Sequence, residues 1–183
     1  MKNIVTFIAL SFLFTSCISD DDSTPVLVNQ EEVITTVIVS LTRAADGNTI
    51  TFRSVDTDGE GPTEPVVTVS GNLETNTVYE GTVQFLNETE SPAENITEEV
   101  EEEADEHQVF FTTGSGFNAA ITYGNFDSNN NPLGTNFILE TTDAGAGNFT
   151  VTLRHEPTKP NDGTLNGAGG ETDAQVVFPV TVE

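Results

Sequence analysis

His107 and His155 stand 48 residues apart, and with Cys17 they are the only side chains in the 183-residue sequence that a transition metal would favour. Imidazole nitrogen suits zinc, copper or nickel, and a carboxylate completes such a shell. Acids lie close by in sequence: Glu103, Asp105 and Glu106 ahead of His107, and Glu156 directly after His155. The expected centre is His107, His155, Glu106 and Glu156 around a divalent ion. The plainer alternative is two rim histidines, each hydrogen-bonded to backbone.

An all-oxygen site is the second possibility. Asp56-Thr57-Asp58-Gly59-Glu60-Gly61 offers carboxylates at alternate positions with glycine for a sharp bend, so Asp56, Asp58 and Glu60 are candidate calcium ligands. Asp127-Ser128-Asn129-Asn130-Asn131 repeats the pattern more weakly. An EF-hand needs a bidentate Glu at its twelfth position, where these loops hold Val67 and Ile138, and in the second loop Pro132 replaces the bend glycine. Asp, Asn and Gly are also ordinary turn formers.

Other chemistries find no support. The glycine-dense Leu165–Asp173 stretch has no Lys and no following helix, so it reads as a tight loop into the last strand and not as a phosphate cradle. No Ser, His, Asp arrangement is recognisable and no carboxylate pair takes acid and base roles from spacing. The expectation is a protein that is not an enzyme.

The stretch that must position His107 is Asn95–Phe111, in which six Glu and one Asp run into the histidine and then into an aromatic strand, with no Lys or Arg. Carboxylates so crowded repel, and a helix that spaces them or a cation that neutralises them relieves this. Asn95 suits an N-cap, Glu98 falls at the third helical position, and Ile96, Val100 and Ala104 repeat every four residues. This predicts one short acidic helix.

From residue 33 the chain reads as short β-rich runs separated by Gly, Asn, Asp and Pro. Strands are predicted near 33–42, 48–55, 66–70, 77–86, 107–113, 117–124, 134–141, 148–155 and 174–182. The fold class is all-β: a single antiparallel β-sandwich of about nine strands, immunoglobulin-like or Greek-key. In the eighth strand Phe149, Val151, Leu153 and His155 alternate with Thr150, Thr152, Arg154 and Glu156, which puts the first set in the core and the second in water. His107 shares the inward phase of Val109 and Phe111. If consecutive strands alternate up and down, the long connections 56–65, 87–106, 125–133 and 156–173 share one end, with 4, 10, 1 and 4 acids, 19 of the 30. Long loops commonly carry function, and both histidines fall at that end.

The N-terminus sets the address. Met1 to Ser16 has a basic Lys2 and an apolar core, Ile4–Phe14, too short to span a bilayer, followed by small residues. Residues 1–16 read as a signal peptide. Leu13-Phe14-Thr15-Ser16-Cys17 resembles a bacterial lipobox, which implies that Cys17 is lipidated and becomes the mature N-terminus. As the only cysteine it also excludes an internal disulfide. Residues 17–32 then form an acidic tether and 33–183 the β-sandwich domain. Ser19-Asp20-Asp21-Asp22 resembles the acidic export signal that sends lipoproteins of Bacteroidota to the outer surface. Loss of residues 1–16 leaves 4 basic and 30 acidic side chains on 167 residues, a formal charge of −26, which argues against nucleic acid or anionic surfaces as partners.

Residues 30–183 resemble a group of small flavobacterial lipoproteins labelled as having a type 1 periplasmic binding fold. The resemblance lies in Glu31–Val37, Phe85–Glu88, the acid run ending His107-Gln108, Leu153–Pro157 and Gly169–Asp173. That label implies a two-lobed α/β architecture, against the all-β reading of the residues. The functional expectation is an outer-membrane lipoprotein, displayed at the surface or on the periplasmic face, held in the bilayer through Cys17. It acts as a non-catalytic binding module for a divalent cation (zinc, copper or calcium) or a small solute, with an outer-membrane protein as a further partner; the alternative is a structural or adhesive surface domain.

Overall fold

Alternation of apolar and polar residues builds two antiparallel sheets in the computed structural model, which describes residues 32–59 and 61–183. Cys17, the signal peptide, the tether up to residue 31 and Glu60 lie outside the described residues. The larger sheet has the order β3-β2-β1-β4-β8-β7, with β1 at Thr36–Arg43, β2 at Thr49–Val55, β3 at Val66–Val69, β4 at Val78–Asn87, β7 at Ala119–Tyr123 and β8 at Asn136–Thr141. A two-residue strand β5, Glu94–Asn95, pairs with β4. The smaller sheet has the order β10-β9-β6, from β6 at His107–Thr113, β9 at Gly145–His155 and β10 at Glu171–Val182. The neighbour order β3-β2-β1-β4 is a Greek key, because the fourth strand returns beside the first.

All nine expected strands are found, with ends that differ by a few residues, and β5 is the addition. The fold is an all-β sandwich, and the described residues lack the alternating strands and helices of the two-lobed α/β architecture.

Inward residues of both sheets meet in one core. Val39, Leu41, Phe52, Val83 and Phe85 of the larger sheet face Val109, Phe149, Val151, Leu153 and Phe178 of the smaller. Phe52 crosses the gap to Phe149 (6.5 Å, edge-on) and Phe178 (5.6 Å), and Phe137 reaches Phe111 at 4.3 Å. Each such side chain contributes about 1.5–3 kcal/mol on full burial.

The acidic run forms helix α1, Ile96–Glu102, with Asn95 at its N-cap. The Asn95 side chain donates from Nδ2 to Glu98 Oε1 (2.9 Å) and makes no bond to the helix backbone. Ile96 and Val100 are buried and Ala104 packs on the core, as the four-residue spacing predicts.

One expectation about β9 is corrected. Thr152 is 1% exposed and Arg154 is half-buried, although both point away from the core. The 156–170 connection folds back over this face: Arg154 donates to Leu165 O (3.4 Å) and Asn161 to Gln108 Oε1 (2.8 Å). That connection also contains a helical turn, α2 at Leu165–Ala168, where the sequence suggested only a loop. No helix among the described residues is long and apolar enough to cross a membrane.

Candidate metal centre

His107 opens β6 and His155 closes β9, and the two are directly paired in the β6–β9 ladder. Paired inward residues of neighbouring strands stand side by side, and the imidazoles stack with centroids 4.9 Å apart at 17°. The two sequence-predicted histidines are thus brought together, buried at the long-loop end of the sandwich.

The expected acids Glu106 and Glu156 lie beside His155 but not beside both histidines. Glu106 precedes an inward residue and Glu156 follows one, so the two-residue strand period sends both to the outside. They are exposed, with ligand atoms that group only with His155. Two other acids occupy the inside. Glu32, read from the sequence as the last tether residue, and Asp173, read as the end of a loop, have side chains only 2% exposed. Glu32, His107, His155 and Asp173 each offer a ligand atom, and all four atoms lie within 4.8 Å of one another.

Asp173 reaches the site through a break in register. Thr172 pairs with Arg154 and Ala174 with Leu153, leaving Asp173 as the additional residue of a β-bulge. A bulge re-aims one side chain, and here it sets Asp173 Oδ1 at 3.9 Å from His155 Nδ1. The loop beneath is tight: Glu156 has a φ of 47°, and a Cβ on Gly170 would lie 2.3 Å from His155 O.

The tautomer of His107 follows from its neighbours. Its Nδ1 lies 3.2 Å from Glu103 O, and a carbonyl can only accept, so Nδ1 carries the proton. Backbone contacts of this kind orient imidazoles that ligate metals through the other nitrogen. In the neutral ring that nitrogen, Nε2, has a lone pair. It lies 3.0 Å from Glu32 Oε1, yet neither atom has a hydrogen-bond partner. Glu32 Oε2 is likewise buried without one. Buried acceptors left in this state cost about 1–3 kcal/mol each.

The charges point the same way. Two carboxylates within 4.8 Å repel by about 3 kcal/mol at an effective dielectric of 20. The described basic side chains are engaged elsewhere: Arg43 with Asp46 and Glu74, Arg53 with Glu88, Arg154 with Thr172, and Lys159 with Asp127 and two carbonyls. Glu99, near Glu32 on α1, has its carboxyl pushed up by burial and by the Glu32, Glu103 and Glu94 charges.

A cleft of about 390 Å³ lined by Glu32, Asp58, Thr172 and Asp173 gives access from solvent. Asp56 and Asp173 line a smaller neighbouring cavity of about 180 Å³. The calcium candidates Asp56 and Asp58 thus border the histidine site. The Asp58 carboxylate accepts from Thr63 N (3.2 Å), and Asp56 Oδ1 is buried without a hydrogen bond. Asp127 is committed internally: its Oδ1 accepts from Asn129 N and Asn131 N, and its Oδ2 faces Lys159. Burial alone would raise the Asp127 carboxyl, but the Asn131 amides and the Lys159 ammonium outweigh it and hold it below the usual range. Asp105 accepts from Ser128 and Asn129 and plays no part in the histidine cluster.

Comparison with protein-family models, curated proteins and solved structures finds no match.

Proposed function

We propose that the protein is an envelope lipoprotein, anchored through Cys17, whose β-sandwich is a non-catalytic module binding one divalent transition-metal ion through His107, His155, Glu32 and Asp173. The carrying observation is the contact between His107 Nε2 and Glu32 Oε1, two buried atoms 3.0 Å apart, on a ring whose Nδ1 faces Glu103 O. A metal ion resolves this contact, because both atoms then donate to it.

The spacing suits such an ion. Zinc bonds of about 2.0–2.1 Å in tetrahedral geometry put neighbouring donors roughly 3.3 Å apart. Two neutral imidazoles and two carboxylates around a doubly charged ion leave the centre neutral, which burial favours. The support for the anchor is the lipobox-like Leu13–Cys17 sequence.

Titration calorimetry with zinc at pH 7.5, on the wild type and on a His107→Ala, His155→Ala double variant, tests the site. One tight zinc ion in the wild type and none in the double variant is the expected result. Equal zinc uptake by both proteins, or by neither, overturns it. For the anchor, Cys17→Ala should release the protein from the membrane fraction, and a variant that still sediments with membrane refutes it.

A further inference from the structure

The geometry points to a second, all-oxygen cation site that shares Glu32 with the first, made by Glu32, Glu99 and Glu103 and suited to a hard divalent ion such as calcium. It rests on the proposed histidine site, because Glu32 is the bridge between the two. Glu32, Glu99 and Glu103 each offer a carboxylate oxygen, and the three oxygens lie within 4.8 Å of one another. Crowded acids on a surface helix do not by themselves make a site. Here the crowding extends inward: the Glu32 side chain is 2% exposed, and both its oxygens and Glu103 Oε2 are buried without a hydrogen bond.

Glu32 has two oxygens and, among the described residues, two clusters to serve. Oε1 lies against His107 Nε2, which leaves Oε2 as the donor for the acidic cluster. A carboxylate that gives one oxygen to each of two ions is the usual bridge in two-metal sites, where the ions stand roughly 3.5–4 Å apart.

The local structure holds the three acids in place. Glu99 and Glu103 are four residues apart and joined through Glu103 N to Glu99 O (2.9 Å), so their side chains leave the same face of the α1 end. Glu103 O in turn holds His107 Nδ1, which ties the second cluster to the first through one residue. The ligand types divide the ions: imidazole selects the transition metal, and carboxylate with water selects the hard one. The Glu106, His155, Glu156 group carries no comparable case, because both its carboxylates face water.

The test loads the purified protein with one equivalent of zinc and then titrates calcium by calorimetry, for wild type, Glu99→Gln/Glu103→Gln and Glu32→Gln, with far-ultraviolet circular dichroism of each variant. The wild type should take one calcium after zinc. The Glu99→Gln/Glu103→Gln variant should keep its zinc and weaken calcium at least tenfold, while Glu32→Gln should weaken both ions at least tenfold with an unchanged spectrum. One zinc and no calcium in the wild type overturns the second site and leaves the first standing. Calcium binding that survives in the Glu99→Gln/Glu103→Gln variant assigns it to other surface acids, and a Glu32→Gln protein that loses only one ion refutes the bridge. Absence of zinc binding in the wild type overturns the histidine site itself.

Discussion

Replacing Glu32 by Gln separates a ligand from a structural ion-pair partner by the sign of its effect. Glu32 is a buried carboxylate, its side chain 2% exposed, that lies 3.0 Å from His107 Nε2 with no assigned hydrogen bond. Gln keeps the shape, removes the charge, and supplies an amide N–H that can donate to His107 Nε2. Relief of one or two unsatisfied buried groups is worth about 1–3 kcal/mol. For a domain of this size each kcal/mol moves the melting temperature by about 2–4 °C, so the variant should melt about 2–12 °C higher in a chelator. With zinc the order reverses. At a hundred times its dissociation constant a ligand of the native state adds about 2.7 kcal/mol, which the wild type gains and the variant forgoes. Calorimetric melting at pH 7.5, in chelator and then in zinc, should show the two proteins exchanging rank. A variant at least about 1 kcal/mol less stable than wild type in chelator would mean that Glu32 is held by a protonated His107, and the metal reading would fall.

Lys159→Met should destabilise the domain by about 3–5 kcal/mol in urea unfolding, since a buried pair loses one partner; the ammonium, 5% exposed, donates to Ala104 O (2.6 Å) and His107 O (2.5 Å) and faces Asp127. A loss under about 1 kcal/mol would show that Lys159 does not fasten the turn before β6. Gly81→Ala should cost about 1–3 kcal/mol by overpacking, because the added Cβ would sit 2.4 Å from Phe137 Cζ, and an unchanged melting temperature would contradict that packing. The Asp46, Glu88 and Asp127 carboxyls lie below the usual range: Arg43 holds Asp46 down, the Thr36 hydroxyl and then Arg53 hold Glu88 down, and the Asn131 and Lys159 donors outweigh burial at Asp127. Such groups bind fewer protons folded than unfolded, so their stabilisation is complete above pH of about 4 and is lost as pH falls through the lowered values; denaturant midpoints that stay flat from pH 5 down to 2 would refute this. Zinc affinity should be lower at pH 5.5 than at pH 7.5, because protons compete with the metal for imidazole and carboxylate ligands, and affinity unchanged between the two would exclude imidazole ligation.

The histidine pair was legible because strand phase and strand direction are local properties. His155 continues the inward series Phe149, Val151, Leu153, and His107 shares the phase of Val109 and Phe111, so an up-and-down alternation sends both to one end of the sandwich. The two buried acids beside both histidines were not legible. Sequence neighbours of an inward strand residue point outward, so Glu106 and Glu156 group with His155 from the exposed side and do not join the buried His107. Glu32 and Asp173 reach the site through long-range structure: one through the chain path just before β1, the other through a bulge whose presence depends on pairing with β9. The polar triplet Glu171-Thr172-Asp173 ahead of Ala174 breaks the alternation of β10 and is the one local trace of that bulge. Nothing in the acidic segment Ile18–Glu32 distinguishes Glu32 from its neighbours except its place directly before Val33-Ile34.

The placement of the four residues explains why a site here would matter to the whole domain. His107, His155 and Asp173 all belong to the three-stranded sheet, each on a different strand, so that sheet alone fixes three donors at adjacent ladder positions. Glu32 comes from the segment that leads into β1, the strand between β2 and β4 in the other sheet. An ion held by all four would join the two layers at the end where their connections are longest. An ion would convert the repulsion between the Glu32 and Asp173 carboxylates into attraction. The buried oxygens of Glu32 and the His107 ring oriented by Glu103 O are the arrangement a preorganised shell requires, and the proposed ion would offset its cost.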